Sequence, residues 1–153
     1  MAQYRFSAQV ISRRDGRSAV AAAAYRAGER LHDERLDMPF DYARRDGVEH
    51  SEILLPEGAP ARFADRHIVW NAVEAVERRS DAQVAREVQL SLPHELTFEQ
   101  RLELVRDFAR TAFTDRGMIA DIALHRPDRH GDERNFHAHI LLTTRAIAGE
   151  SFG

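Results

Sequence analysis

The stretch Asn135–Arg145, NFHAHILLTTR, sets His137 and His139 two positions apart in an apolar, strand-like run. On a strand, residues i and i+2 project from the same face about 7 Å apart. Two imidazoles so placed can converge on one ion or lie side by side on a wet sheet surface. His125 changes the balance. It closes the preceding apolar run, MIADIALH, and a hairpin through RPDRHGDERN brings it beside the other two. Three neutral imidazoles from adjacent strands form a half-shell around a divalent ion and leave its other positions open, which is a catalytic rather than a structural pattern. They also leave the charge of the ion uncancelled. The same rings can instead form a hydrogen-bonded surface cluster, and the residues alone leave that open.

Other side chains are weaker candidates. Glu87, in REVQLSLP, lies within an alternating strand and shares the polar face with the three histidines. It reads either as a solvent-facing charge or as a carboxylate that orients a metal-binding imidazole. Tyr25 ends an alanine-rich segment, where helical spacing alone makes it a half-buried amphipathic side chain. His130 sits in a polar turn. His32, His50, His67 and His94 have charged or loop surroundings and read as surface residues. Trp70 reads as a core residue.

The elements that must position these groups follow from periodicity and punctuation. YRFSAQVIS alternates, with Tyr4, Phe6, Ala8 and Val10 against Arg5, Ser7 and Gln9, as a half-buried strand does. RRDGR is a turn. Ser18 and Gly28 bracket a short alanine-rich helix as N-cap and C′ residue. Residues 29–47 are charged and read as a loop. VEHSEILLP is a strand and residues 61–79 a helix. VAREVQLSLP is a further strand, and Thr97 with Gln100 has capping-box spacing for a helix reaching about Asp115 and ended by Gly117. The order β-α-β-α-β-α-β-β, with alternating strands, predicts an α+β domain: a central, mainly antiparallel sheet with helices packed on one face. Glu87 and the three histidines then fall on the other face.

Composition narrows the function classes. With 153 residues, 43% hydrophobic and 31% charged, the chain is sized for one water-soluble domain, residues 1–153. No apolar run approaches the ~20 residues of a membrane span, and MAQYRFSAQVIS lacks the apolar stretch of a signal peptide. The absence of cysteine excludes disulfides and cysteine-ligated zinc. A cytoplasmic location is the simplest expectation. All 22 basic residues are arginine, a bias that a GC-rich genome largely explains. The net charge of -3 argues against indiscriminate nucleic-acid binding, but residues 1–30 carry six arginines against Asp15 and Glu29. Arg5, Arg13, Arg14, Arg17 and Arg26 are therefore candidate phosphate contacts, although each reads almost as well as a solvated surface charge.

Three segments, SRRDGRSAVAAAAYRAG, REVQLSLPHELT, and ALH followed by RNFHAHILLTTR, occur in that order and span nearly the whole chain. Together they resemble the motifs of the MobA/MobL relaxases (the MOBQ class) and of the relaxase part of the TraA relaxase-helicases, within the HUH endonuclease superfamily. Two departures stand out. Phe136 occupies the place of a proline found in many members, and the loop from His125 to His137 is longer than in compact members.

The resemblance implies a metal-dependent DNA strand transferase that nicks one strand at a plasmid origin of transfer and stays linked to the 5′ end through tyrosine. By match, Tyr25 is the nucleophile, His125, His137 and His139 hold the metal, and Glu87 is the active-site carboxylate. Mn or Mg is the implied working ion, while a histidine trio would also take Ni, Cu or Zn in vitro. Single-stranded origin DNA, relaxosome accessory proteins and coupling proteins are the implied partners. A monomer is expected, as is passage into the recipient cell with the DNA. The chain is expected to be the N-terminal part of a longer protein. One alternative is a rolling-circle initiator or transposase of the same superfamily, in which the tyrosine follows the H-x-H pair instead of preceding it. Another is a non-catalytic DNA-binding domain.

Overall fold

The computed structural model describes residues 6–128 and 131–153. Tyr4, Arg5 and His130, all named above, lie outside the described residues. Five strands form one antiparallel sheet: β1 (Phe6–Ser12), β4 (Val48–Leu54), β5 (Gln83–Leu92), β6 (Ala120–His125) and β7 (Phe136–Leu142), in the order β1-β5-β7-β6-β4. Helix α1 (Ala19–Ala27) lies between β1 and β4, α2 (Arg66–Val76) between β4 and β5, and α3 (Phe98–Ala112) between β5 and β6. The α+β class and the antiparallel sheet are as expected.

The helices are distributed more widely than on a single face. On β7, Ala138, Ile140 and Leu142 point one way and pack with Leu102, Val105 and Ala109 of α3 and with Ile122 and Leu124 of β6. Leu141 points the other way, into a second core with Ile11, Ala85, Val20, Ala24, Trp70 and Val73, which belong to β1, β5, α1 and α2. His137 and His139 share the face of Leu141 by strand alternation. That face is therefore apolar where α1 and α2 cover it and polar where they stop. Trp70 is fully buried, as expected, and its indole N–H donates to Asp121 at 2.8 Å.

Helix α1 forms where its caps dictate. The Ser18 hydroxyl accepts from Ala21 N–H at 3.1 Å, and Gly28 takes φ 67°, the left-handed C′ conformation that glycine favours. Its alanines are small enough for close approach to both α2 and the sheet. Helix α3 carries the expected capping box, Thr97 with Gln100.

Several expectations are corrected. Residues 29–47 contain a hairpin of β2 (Arg30–Asp33) and β3 (Met38–Asp41). Its strands, RLHD and MPFD, are only four residues long, too short for periodicity to register. Residues 61–79 are not one helix: a 3₁₀ turn at Ala61–Ala64 precedes α2, and the Asp65 carboxylate starts α2 by accepting from Ile68 N–H at 3.1 Å. β1 is an edge strand on which only Ile11 is buried. A small hairpin of β8 (Ile147–Ala148) and β9 (Ser151–Phe152) was not foreseen.

Candidate metal centre and nucleophile

β6 and β7 place His125 directly opposite His137 and Ala123 opposite His139, so the three histidines occupy one face. Their ring centroids are 4.6–5.4 Å apart. One ring nitrogen from each lies within 4.8 Å of the others, which is the arrangement that can hold a metal ion.

Each ring also has an oxygen partner. His125 Nε2 lies 2.8 Å from the Arg26 carbonyl oxygen, His137 Nδ1 lies 3.1 Å from the Asn135 carbonyl oxygen, and His139 Nδ1 lies 3.3 Å from Glu87 Oε2. Neutral imidazoles that donate through these nitrogens keep their second nitrogens unprotonated for a cation. Burial holds His125 neutral, pushing its pKa down to about 3 despite the Arg26 carbonyl, and neighbouring His139, Arg45 and His137 act in the same direction. His137 is lowered as well, first by burial. Protons thus compete weakly for these nitrogens, and the donor set fits a divalent ion.

Glu87 extends from β5 on the same face and is 2% exposed. Burial alone would raise its pKa. Hydrogen bonds from His139, Arg26 and Gln9 outweigh that effect and hold the carboxyl well below the usual range. Arg26 Nε donates to Glu87 Oε2, and Gln9 Nε2 donates to Oε1 at 2.8 Å. These partners occupy both Glu87 carboxylate oxygens, and Glu87 does not belong to the metal-capable group.

Tyr25 lies in the last turn of α1, pointing away from the core with 46% exposure. The next residue, Arg26, connects that turn to the cluster twice, through its side chain to Glu87 and through its carbonyl to His125. The start of α1 is anchored too. Buried Glu74 accepts from Ala19 N–H at 2.7 Å and from Arg13 at 2.6 and 3.0 Å.

The arginines divide. Arg13 is committed to Glu74 and to the carbonyls of Glu74, Glu77 and Arg79, and Arg26 to Glu87 and the Ala22 carbonyl, so neither is free for phosphate. Both are corrections to the phosphate-contact expectation, and both follow from buried carboxylates that sequence does not reveal. Arg14 is exposed near Asp81, and Arg17 lines an open cleft with Arg35 and Arg78 to which none of the three histidines contributes. His32, His50, His67 and His94 do not join the metal-capable group. Gln9, Tyr42 and Arg45 contact Glu87 or Tyr25 yet carried no signal in sequence, the latter two because their segment read as a loop.

Comparison with known proteins adds a second line of support. The model of the MobA/MobL family matches residues 17–153. The chain is 45% identical to the mobilization protein MobL of Acidithiobacillus ferridurans over 94% of its own length and 43% of that protein. It is 42% identical to the conjugal transfer protein TraA of Agrobacterium fabrum strain C58 over 100% of its own length and 14% of that protein. The chain therefore spans less than half the length of these relatives. Among solved structures, one described under the molecular basis of vancomycin resistance transfer in Staphylococcus aureus superposes with a TM-score of 0.90 at 36% identity, covering 99% of this chain and 76% of that one. The conjugative relaxase TrwC, solved with oriT DNA, shares the fold at a TM-score of 0.55 and 14% identity, over 95% of this chain and 59% of that one.

Proposed function

The chain belongs to the MobA/MobL family, and from that premise we propose that it nicks single-stranded DNA at a plasmid origin of transfer by tyrosine transesterification and later rejoins the ends. Residues 1–153 act as one relaxase domain. A tyrosine phenol titrates near pH ~10, so it attacks poorly until it loses its proton. Tyr25 surrenders that proton to solvent, its oxygen attacks the scissile phosphorus in line, and the 3′ oxygen leaves. A phosphotyrosine ester to the 5′ end replaces one phosphodiester bond, and the exchange can run backwards without ATP.

His125, His137 and His139 hold a divalent cation, Mn or Mg in function, which when bound neutralises the non-bridging phosphate oxygens. Glu87 fixes the His139 ring, and Arg26 fixes Glu87. Arg14 and Arg17 remain as surface cations for the strand, with single-stranded origin DNA as substrate. Relaxosome accessory and coupling proteins would act on the longer protein, with this domain monomeric and travelling with the DNA.

The observation that carries this reading is the double attachment of Arg26, next to Tyr25, to the histidine cluster. It brings the end of α1 to the only trio of metal-capable side chains among the described residues. Incubation with labelled single strands from plasmid transfer origins tests it. A covalent band that requires both Mn and Tyr25 is expected, and its absence in wild type would favour a DNA-binding module.

A further inference from the structure

The segment joining β3 to β4 wraps around the end of α1. Tyr42 N–H donates to the Glu29 carbonyl at 3.0 Å and Arg45 N–H to the Tyr42 carbonyl at 2.9 Å. Gly28 permits the close approach, because a Cβ there would stand 3.2 Å from Val48 Cγ2. Two side chains from this segment enclose the Tyr25 ring. Tyr42 meets it edge-on, with centroids 5.1 Å apart at 87°. Arg45 stacks on its face, with the guanidinium carbon 4.0 Å from the ring centroid, while Nη1 donates to the Tyr25 carbonyl oxygen.

Arg45 forms no ion pair among the described residues, whereas Arg13, Arg26, Arg66 and Arg106 each have a carboxylate partner. A planar cation on an aromatic face attracts the ring electrons. Stacking and the backbone hydrogen bond together hold the guanidinium against Tyr25.

We propose that Arg45 is a positioning residue of the nicking site: it fixes the Tyr25 ring by stacking on its face while bonding to the Tyr25 carbonyl oxygen. This rests on the relaxase reading above. Its removal frees the ring, so attack by Tyr25 slows. The three histidines keep their own oxygen partners, so divalent metal binding is unchanged. An arginine that only supported the fold would weaken both together.

Arg45→Met and Arg45→Lys test this in the full chain. Single-turnover adduct formation on labelled transfer-origin single strands, at saturating Mn, should slow by about 10- to 100-fold in the Met variant, as for a misplaced nucleophile. Oligonucleotide affinity should change by no more than about threefold, since one phosphate-range charge is lost. The Lys variant, which keeps the charge but not the planar stack, should recover part of the rate. Calorimetric titration of the DNA-free proteins with MnCl2 should give both variants the wild-type affinity. A Met variant that nicks at the wild-type rate, or that loses Mn affinity together with rate, overturns the proposal. A wild type that forms no adduct overturns instead the reading it rests on.

Discussion

His125 donates from Nε2 to the carbonyl oxygen of Arg26 at 2.8 Å, so the backbone of the last turn of α1 is bonded directly to a metal-capable side chain on β6. The Arg26 side chain meanwhile reaches Glu87 on β5, which accepts from His139. Helix end and histidine cluster are therefore one hydrogen-bonded unit, and a change in either should register in the other.

Glu87→Gln tests that unit. The neutral amide weakens the hold on His139 and leaves the buried Arg26 guanidinium without its counter-charge. Calorimetry should show Mn affinity falling by roughly tenfold, as for loss of an imidazole-orienting carboxylate. Urea unfolding should show a stability loss of roughly 3–5 kcal/mol, the range for breaking a buried ion pair. Unchanged metal affinity would mean that Glu87 does not orient His139.

Acid should destabilise the metal-free protein through His125. Its native pKa is about 3 against an ordinary 6.5. Above pH 6.5 it is neutral in both states and contributes no slope. Below that, the unfolded chain takes up a proton that the native pocket refuses, so stability falls as the pH drops towards about 3. Glu87, whose native pKa is lowered from 4.5, acts in the same direction at lower pH. Chelator-treated wild type should lose roughly 1–2 kcal/mol more between pH 7 and 5 than His125→Gln, which keeps a donor for the Arg26 carbonyl. Parallel pH profiles would show that His125 is not held neutral by burial.

The start of α1 depends on Glu74. This carboxylate, 2% exposed, receives Ala19 N–H, Arg13 and Arg35. Glu74→Ala strands a buried guanidinium and a helix N-terminal amide, and should cost roughly 3–5 kcal/mol in chemical denaturation. A loss under 1 kcal/mol would mean that water replaces the carboxylate there.

Thr97→Ala serves as a control on the opposite face. It removes the N-cap of α3, which packs on the other face of the sheet from the histidines, and should cost about 1 kcal/mol. The melting temperature should fall by about 2–4 °C for a chain of this size. The rate of adduct formation should stay at the wild-type value.

Legibility in the sequence followed periodicity and caps. Strand β5 announced itself by alternation, β6 and β7 by short apolar runs, and Ser18, Gly28 and Thr97 marked the helix ends where they fall. The face shared by Glu87 and the three histidines followed from the two-residue period alone. The β2–β3 hairpin did not register because its apolar content is a few residues, with Leu31 buried beside charged neighbours. That omission hid Tyr42 and Arg45, which act on Tyr25 only through tertiary approach. Arg13 and Arg26 looked like surface cations because nothing local signals a buried carboxylate 61 residues away in each case.

Covalent adduct formation by wild type and Tyr25→Phe, with fluorescent single strands from transfer origins and Mn, bears most directly on whether helix end and histidine trio form one nicking centre. Wild type should give a slow-migrating protein–DNA band, lost on chelation and absent in Tyr25→Phe, with oligonucleotide and Mn affinities preserved in the variant. An adduct that persists in Tyr25→Phe, or that forms equally well once His125, His137 and His139 are replaced, would contradict it.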